Sequence, residues 1–211
     1  MITPSAYLPK AVCSHADLLC HPLGGNKVIV ARGEKNIYFD IQSIGAQAVE
    51  STSIPGAVYP RDVPLCAARV GRFLIANPGT TDRSILEDGA ARRLQLLPVR
   101  QGYTRCSVAV VDARSIITSD AGIAKAALAA GMDVLQIRPG FIELPGYDTG
   151  FIGGCCGLIA KDRMLFCGAV ERHPDYRAIR SFLEKRRIAI VSVPDMTLTD
   201  VGGILPLQEY D

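Results

Sequence analysis

The chain has 211 residues, 48% hydrophobic and 21% charged, with 23 Lys plus Arg against 21 Asp plus Glu. This composition suits one soluble domain spanning 1–211, long enough to bury roughly 70% of its unfolded surface. Scattered basic residues, clustered only at Lys185-Arg186-Arg187, argue against a nucleic-acid partner drawn by a whole-protein field.

The N-terminal stretch Met1–Val12 has no charged lead followed by an apolar core, and no apolar run approaches the ~20 residues of a membrane span. A cytoplasmic protein without a membrane partner is expected. Seven cysteines, at 13, 20, 66, 106, 155, 156 and 167, include no C-x-x-C, which predicts reduced, mostly buried thiols rather than disulfides or zinc. No metal and no cofactor are expected.

Four segments share a turn residue, a basic residue and an apolar strand: Asn26–Ala31, Gly71–Ala76, Ala113–Thr118 and Asp162–Cys167. Their basic residues, Lys27, Arg72, Arg114 and Arg163, stand 45, 42 and 49 residues apart. Such a period marks repeated supersecondary units. A strand-like run precedes each segment, at Ala16–Cys20, Leu65–Val70, Cys106–Val111 and Phe151–Ala160, which predicts hairpins.

After the first hairpin, Ile41–Ser53 reads as a helix or an irregular link. Thr81–Asp88 is the helix expected in the second repeat, with Arg93–Val99 as its last strand. In the third, Ser119-Asp120 caps a helix over Ala121–Ala130 that stops at Gly131, before a strand at Asp133–Ile137. In the fourth, Pro174 and Asp175 open a helix whose Tyr176, Ile179, Phe182 and Leu183 share one face, before a strand at Arg187–Val193. The unit is thus strand, strand, helix, strand. A fifth opening, Leu198–Leu207, has no helix behind it and would borrow elements from the N-terminal segment. Gly-Tyr recurs at Gly102-Tyr103 and Gly146-Tyr147, as if marking equivalent places on neighbouring units.

With these repeats, the chain resembles the pentein fold of the guanidine-modifying superfamily, which joins arginine deiminases, dimethylarginine hydrolases and amidinotransferases. Gln101–Ser107, Leu144–Gly154 and Leu198–Leu207 are similar to the small bacterial members of that fold. The resemblance implies an α/β propeller of about five units around a pseudo-fivefold axis, with the unit openings converging on a central pocket. Active members carry a nucleophilic cysteine after a Gly-Gly pair; here Gly202-Gly203 leads to Pro206 where that thiol would stand. The family's His-x-Asp is also altered, since Tyr147 precedes Asp148, and a tyrosine is a poor base at neutral pH.

Recognition without the familiar chemistry is therefore the expected function: an arginine-like cationic or zwitterionic ligand held by Asp17, Asp148 and Asp200, with Arg105 and Tyr147 beside it. The first alternative is a guanidine hydrolase or amidinotransferase that uses Cys106, activated by Arg105, with His15 as base. The second is a protein- or RNA-binding module like the ribosome anti-association factor that shares the fold. His21 and His173 read as ordinary turn or cap residues. Cys155-Cys156 reads as strand core, the glycine pairs as tight packing, and Lys185–Arg187 as a solvated helix end.

Overall fold

The computed structural model describes residues 2–207; residue 1 and residues 208–211, part of the expected 1–211 domain, lie outside them. A helical turn, α1 (Ala16–Leu19), leads into β1 (Cys20–Gly24), β2 (Lys27–Val30), α2 (Lys35–Ser43) and β3 (Gln47–Glu50). The second unit is β4 (Ala68–Val70), β5 (Phe73–Ala76), α3 (Arg83–Ala91) and β6 (Gln95–Pro98). A second turn, α4 (Thr104–Ser107), opens the third, with β7 (Val108–Val110), β8 (Ser115–Thr118), α5 (Ala121–Ala129) and β9 (Asp133–Gln136). The fourth is β10 (Cys156–Ala160), β11 (Arg163–Phe166), α6 (Tyr176–Glu184) and β12 (Ala189–Val191).

Each unit forms its own three-stranded sheet in which the first two strands are an antiparallel hairpin and the third lies parallel to the second. The repeated basic residues sit at the hairpin turns or open the second strand, which exposes their charge while the apolar run behind them is buried.

All four openings depart from the expected strands. Ala16–Leu19 and Thr104–Ser107 are helical turns, so the strands start only at Cys20 and Val108, while residues 65–67 and 151–155 are turn or irregular, so the others start only at Ala68 and Cys156. The first repeat is complete: the stretch Ile41–Ser53 holds the end of α2 and all of β3. The fifth opening forms no strand among the described residues, only a parallel bridge between Glu143 and Thr199. The architecture is a mixed α/β fold of small sheets and helices.

The three hydrophobic clusters ignore unit boundaries. One joins Leu19, Val28 and Ile37 of the first unit to Leu74 and Ile85 of the second. Another joins Val70 and Phe73 to Val108, Ile116 and Ile123, and the last joins Ile117 of the third unit to Phe166, Ile179 and Leu183 of the fourth. Strands of three to five residues bury too little alone, so each unit's core is completed by its neighbour.

The residue before each nine-residue helix fastens the unit to the chain that precedes it. Asp82, before α3, accepts from Thr52 N (3.2 Å), Thr52 Oγ1 (2.8 Å) and Ser53 N (2.8 Å) at the exit of the first unit, while capping Ser84 N (2.9 Å). Asp120, before α5, caps Ile123 N (2.8 Å) and accepts from Gln101 Nε2 (3.1 Å). Asp175, before α6, accepts from the backbone and guanidinium of Arg138 (2.7–3.0 Å); its own N–H is capped by His173 Nδ1 at 3.0 Å. Before α2, Glu34 accepts from the Ser5 hydroxyl. The N-terminal segment thus occupies, toward the first unit, the place that a preceding unit's exit holds elsewhere.

Burial alone would raise the Asp82 carboxyl, but hydrogen bonds from Ser53, Ser84 and Thr52 overcome it and hold the group at about 2. Asp82→Ala is expected to destabilise the protein by about 2–3 kcal/mol in urea unfolding at pH 7. Because the folded value lies below the unfolded one of ~4, this contribution is fully present above pH ~4. It is lost as pH falls toward about 2. Parallel titrations of wild type and variant check this by converging in that window; the exposed Asp175–Arg138 pair should show a smaller loss when broken.

Candidate functional site

The unit openings meet through the backbone. Arg105 N donates to Cys66 O (3.2 Å), Gly154 N to Cys106 O (3.1 Å), Val201 N to Gly154 O (2.9 Å) and Asp17 N to Gly202 O (3.0 Å). Arg69, in β4, reaches back to donate to Leu23 O of the first unit. The backbone links join the openings of different units.

Asp17 and Asp200 lie at the centre of these contacts. The Asp200 carboxylate accepts from Phe151 N (2.9 Å) and Gly202 N (3.0 Å) and approaches His15 Nδ1 to 3.7 Å. Its seat exists because Gly154 has no side chain: a Cβ there would fall 2.0 Å from Asp200 Oδ1. Gly202, at φ +83°, lies flat against α1, where a Cβ would meet His15 Cα at 2.3 Å. The glycine pairs are therefore packing devices, as expected from the sequence.

Asp17 is wholly buried, and neither of its carboxylate oxygens has a hydrogen-bond partner. Burial and the neighbouring Asp17 push Asp200 up to about 6, against the pull of its backbone donors and His15. Two carboxylates in one dry site cannot both ionise cheaply, and the cost falls on Asp200.

Cys106 is buried with its Sγ 3.3 Å from Cys66 Sγ. Arg105 does not activate it. That guanidinium donates to Val108 O (2.9 Å), Gly153 O (3.2 Å) and Ile204 O (3.3 Å), tying three segments together. Burial, the Cys66 thiol and the Asp17 carboxylate instead push the Cys106 thiol well above its ordinary range.

Tyr147 and Asp148 are exposed and line a surface groove of about 490 Å³ with Phe141, Glu143, Pro145 and Thr197. The structure brings Asp17, Asp200, His15, Arg105 and Cys106 together and sets Tyr147 and Asp148 in this outer groove. The Gly-Tyr repeat does not mark equivalent places. Tyr103 stands five residues ahead of β7, and the residue five ahead of β10 is Phe151, whose ring stacks on Tyr103 at 5.8 Å.

Counting back from the first strand in this way finds residues that the motif search missed. His15, Val63, Tyr103 and Phe151 share one position, and Cys66 and Cys106 share another. The Tyr103 hydroxyl donates to buried Asp62, whose other oxygen, Oδ1, has no partner. Burial and the Asp62 hydrogen bond raise the Tyr103 phenol far above its usual value, so it stays a donor.

The remaining candidates are structural. His21 is buried in β1 rather than exposed at a turn, and burial lowers it to about 4, so it is neutral at pH 7. His173 stands in the turn before α6, where its Nδ1 accepts from Asp175 N. Cys155 and Cys156 are both fully buried. The basic run is less solvated than its charge suggested, since Arg186 contacts Ser115 (2.6 Å) and Asp133 (2.9 Å) and lies over the Phe182 ring. No cluster able to hold a metal occurs among the described residues, and none of their helices is long and apolar enough to cross a membrane.

Comparison places the architecture among penteins. Residues aligned with the dimethylarginine dimethylaminohydrolase adduct with S-methyl-L-thiocitrulline give a TM-score of 0.55 at 10% identity, covering 90% of this chain and 72% of that one. DDAH from Pseudomonas aeruginosa, a mutant complexed with citrulline, gives 0.53 at 10% identity over 86% and 69%. A further dimethylarginine dimethylaminohydrolase adduct, with 4-chloro-2-hydroxymethylpyridine, gives 0.54 at 11% over 88% and 73%. The class is thus a pentein-type α/β fold. No curated protein matches the sequence. Its family model matches residues 1–205: the chain belongs to DUF6873, a family of unknown function.

Removing one charge from the carboxylate pair should stabilise the protein. Asp17→Asn is expected to gain about 1–3 kcal/mol at pH 8. The gain shrinks below pH 6, where Asp200 already carries a proton in the wild type. Urea unfolding at pH 8 and pH 5 measures the difference.

Proposed function

We propose that this protein binds a small cationic or zwitterionic ligand of arginine-like class at the buried Asp17–Asp200 pair, on a pentein scaffold of five units around a pseudo-fivefold axis. One observation carries the reading: Asp17 holds a carboxylate in complete burial with no partner for either oxygen. Such a group is costly unless a cation or proton joins it. A guanidinium or amidinium supplies both the charge and the planar donors that a carboxylate accepts in pairs. On this reading the fifth unit is split between the C-terminal opening and the N-terminal segment, which the Asp17–Gly202 and Ser5–Glu34 contacts support. The whole chain is one domain.

Asp17 and Asp200 take the charge, His15 sits beside Asp200, and Tyr103 and Phe151 form an aromatic wall nearby. Tyr147 and Asp148, in the outer groove, meet a part of the ligand that projects outward. Arg105 acts as scaffold. The surroundings of Cys106 favour binding over turnover, because two carboxylates disfavour the thiolate that a hydrolase or amidinotransferase needs. The engagement of Arg186 likewise weighs against an RNA-binding patch.

Thermal shift against arginine, agmatine, methylated arginines, citrulline and creatine at millimolar concentration tests the proposal. A ligand at one hundred times its Kd should add about 2.7 kcal/mol. The shift should grow as pH rises through about 6, where Asp200 ionises, and vanish in Asp17→Asn. No shift with any of them at pH 8 overturns it.

A further inference from the structure

Two thiols of different units face each other beside the site. Cys66 and Cys106 each stand two residues ahead of their unit's first strand, at Ala68 and Val108. The Arg105 N to Cys66 O bond (3.2 Å) holds their backbones together, and their sulfurs lie 3.3 Å apart, both free and buried. Cys155 and Cys156 also contact each other, but they are adjacent in the chain and a bond between them would join no two units; both of their thiols bond Ile152 O, and that of Cys13 bonds Lys10 O.

We propose that Cys66 and Cys106 are a redox modification site, closing to a reversible disulfide that staples the second unit to the third. Closure brings the sulfurs from 3.3 Å to about 2.05 Å, a small movement for two side chains on backbones already tied. The oxidant is a small peroxide. One thiol is oxidised to sulfenic acid as the peroxide O–O bond breaks and an alcohol or water leaves. The other sulfur then attacks the sulfenic sulfur, the S–S bond forms, and the hydroxyl departs as water with the second thiol's proton. Burial slows reaction at both sulfurs, but it admits a small peroxide while excluding a bulky, charged disulfide such as oxidised glutathione. The inference goes beyond ligand binding and does not require it.

The test uses the full chain without ligand. It is treated with hydrogen peroxide, then denatured, alkylated and digested with trypsin without reduction. The peptide ending at Arg69 should be joined to the one ending at Arg114, and dithiothreitol should separate them. Because the link spans 40 residues, the oxidised protein should also unfold several degrees higher. Oxidation confined to other cysteines, sulfinic acid at Cys106 without a link, or linkage only by oxidised glutathione would overturn the proposal. So would a linked form that unfolds at lower temperature.

Discussion

The fold depends on an acidic residue that starts each of the four nine-residue helices and reaches backward. Glu34, Asp82, Asp120 and Asp175 occupy the same place in four units, and each accepts from the chain preceding its unit. The partners differ in chemistry: a serine hydroxyl, two backbone amides with a threonine, a glutamine amide and an arginine. What persists is a carboxylate at the positive end of a helix, where the dipole and free N–H groups already favour negative charge. One residue thereby ends a loop, starts a helix and sets the angle between units. Sheets of three short strands could not hold that angle themselves.

At the other end of the units the constraint is steric. The openings approach so closely that Gly153, Gly154 and Gly202 would each place a Cβ within 2.4 Å of a neighbour's atom. Close approach expels water, and what remains polar is then conspicuous. Arg105 satisfies three carbonyls and is a structural rivet. Asp17 satisfies nothing. The contrast between two buried charged residues at equivalent places, three ahead of β1 and of β7, separates scaffold from site more sharply than either residue's identity does.

Much of this was legible in the sequence, and the failures have physical causes. Four repeats, the helices after Asp120 and Pro174, and the role of the paired glycines follow from periodicity, capping and turn chemistry. Ala16–Leu19 and Cys106–Ser107 were expected as strand because a short apolar run carries no periodicity to distinguish a helical turn from a strand. The Gly-Tyr repeat is a local likeness without spatial equivalence; the frame is set by distance to the first strand, which places Tyr103 opposite Phe151 and leaves Tyr147 outside. Asp62 and Cys66 carry no motif. Their importance arises only from Tyr103 and Cys106, some forty residues on.

The central carboxylates also explain why a cysteine at this site need not be a nucleophile. A catalytic thiol requires positive surroundings that favour its anion, whereas here the nearest arginine is turned onto backbone carbonyls and the unpartnered charge is negative. A cation entering beside Asp17 and Asp200 would reverse that field, since it would neutralise the groups that hold the thiol protonated. On the proposed reading, electrostatics of this kind favour binding of a cation over attack by the thiol.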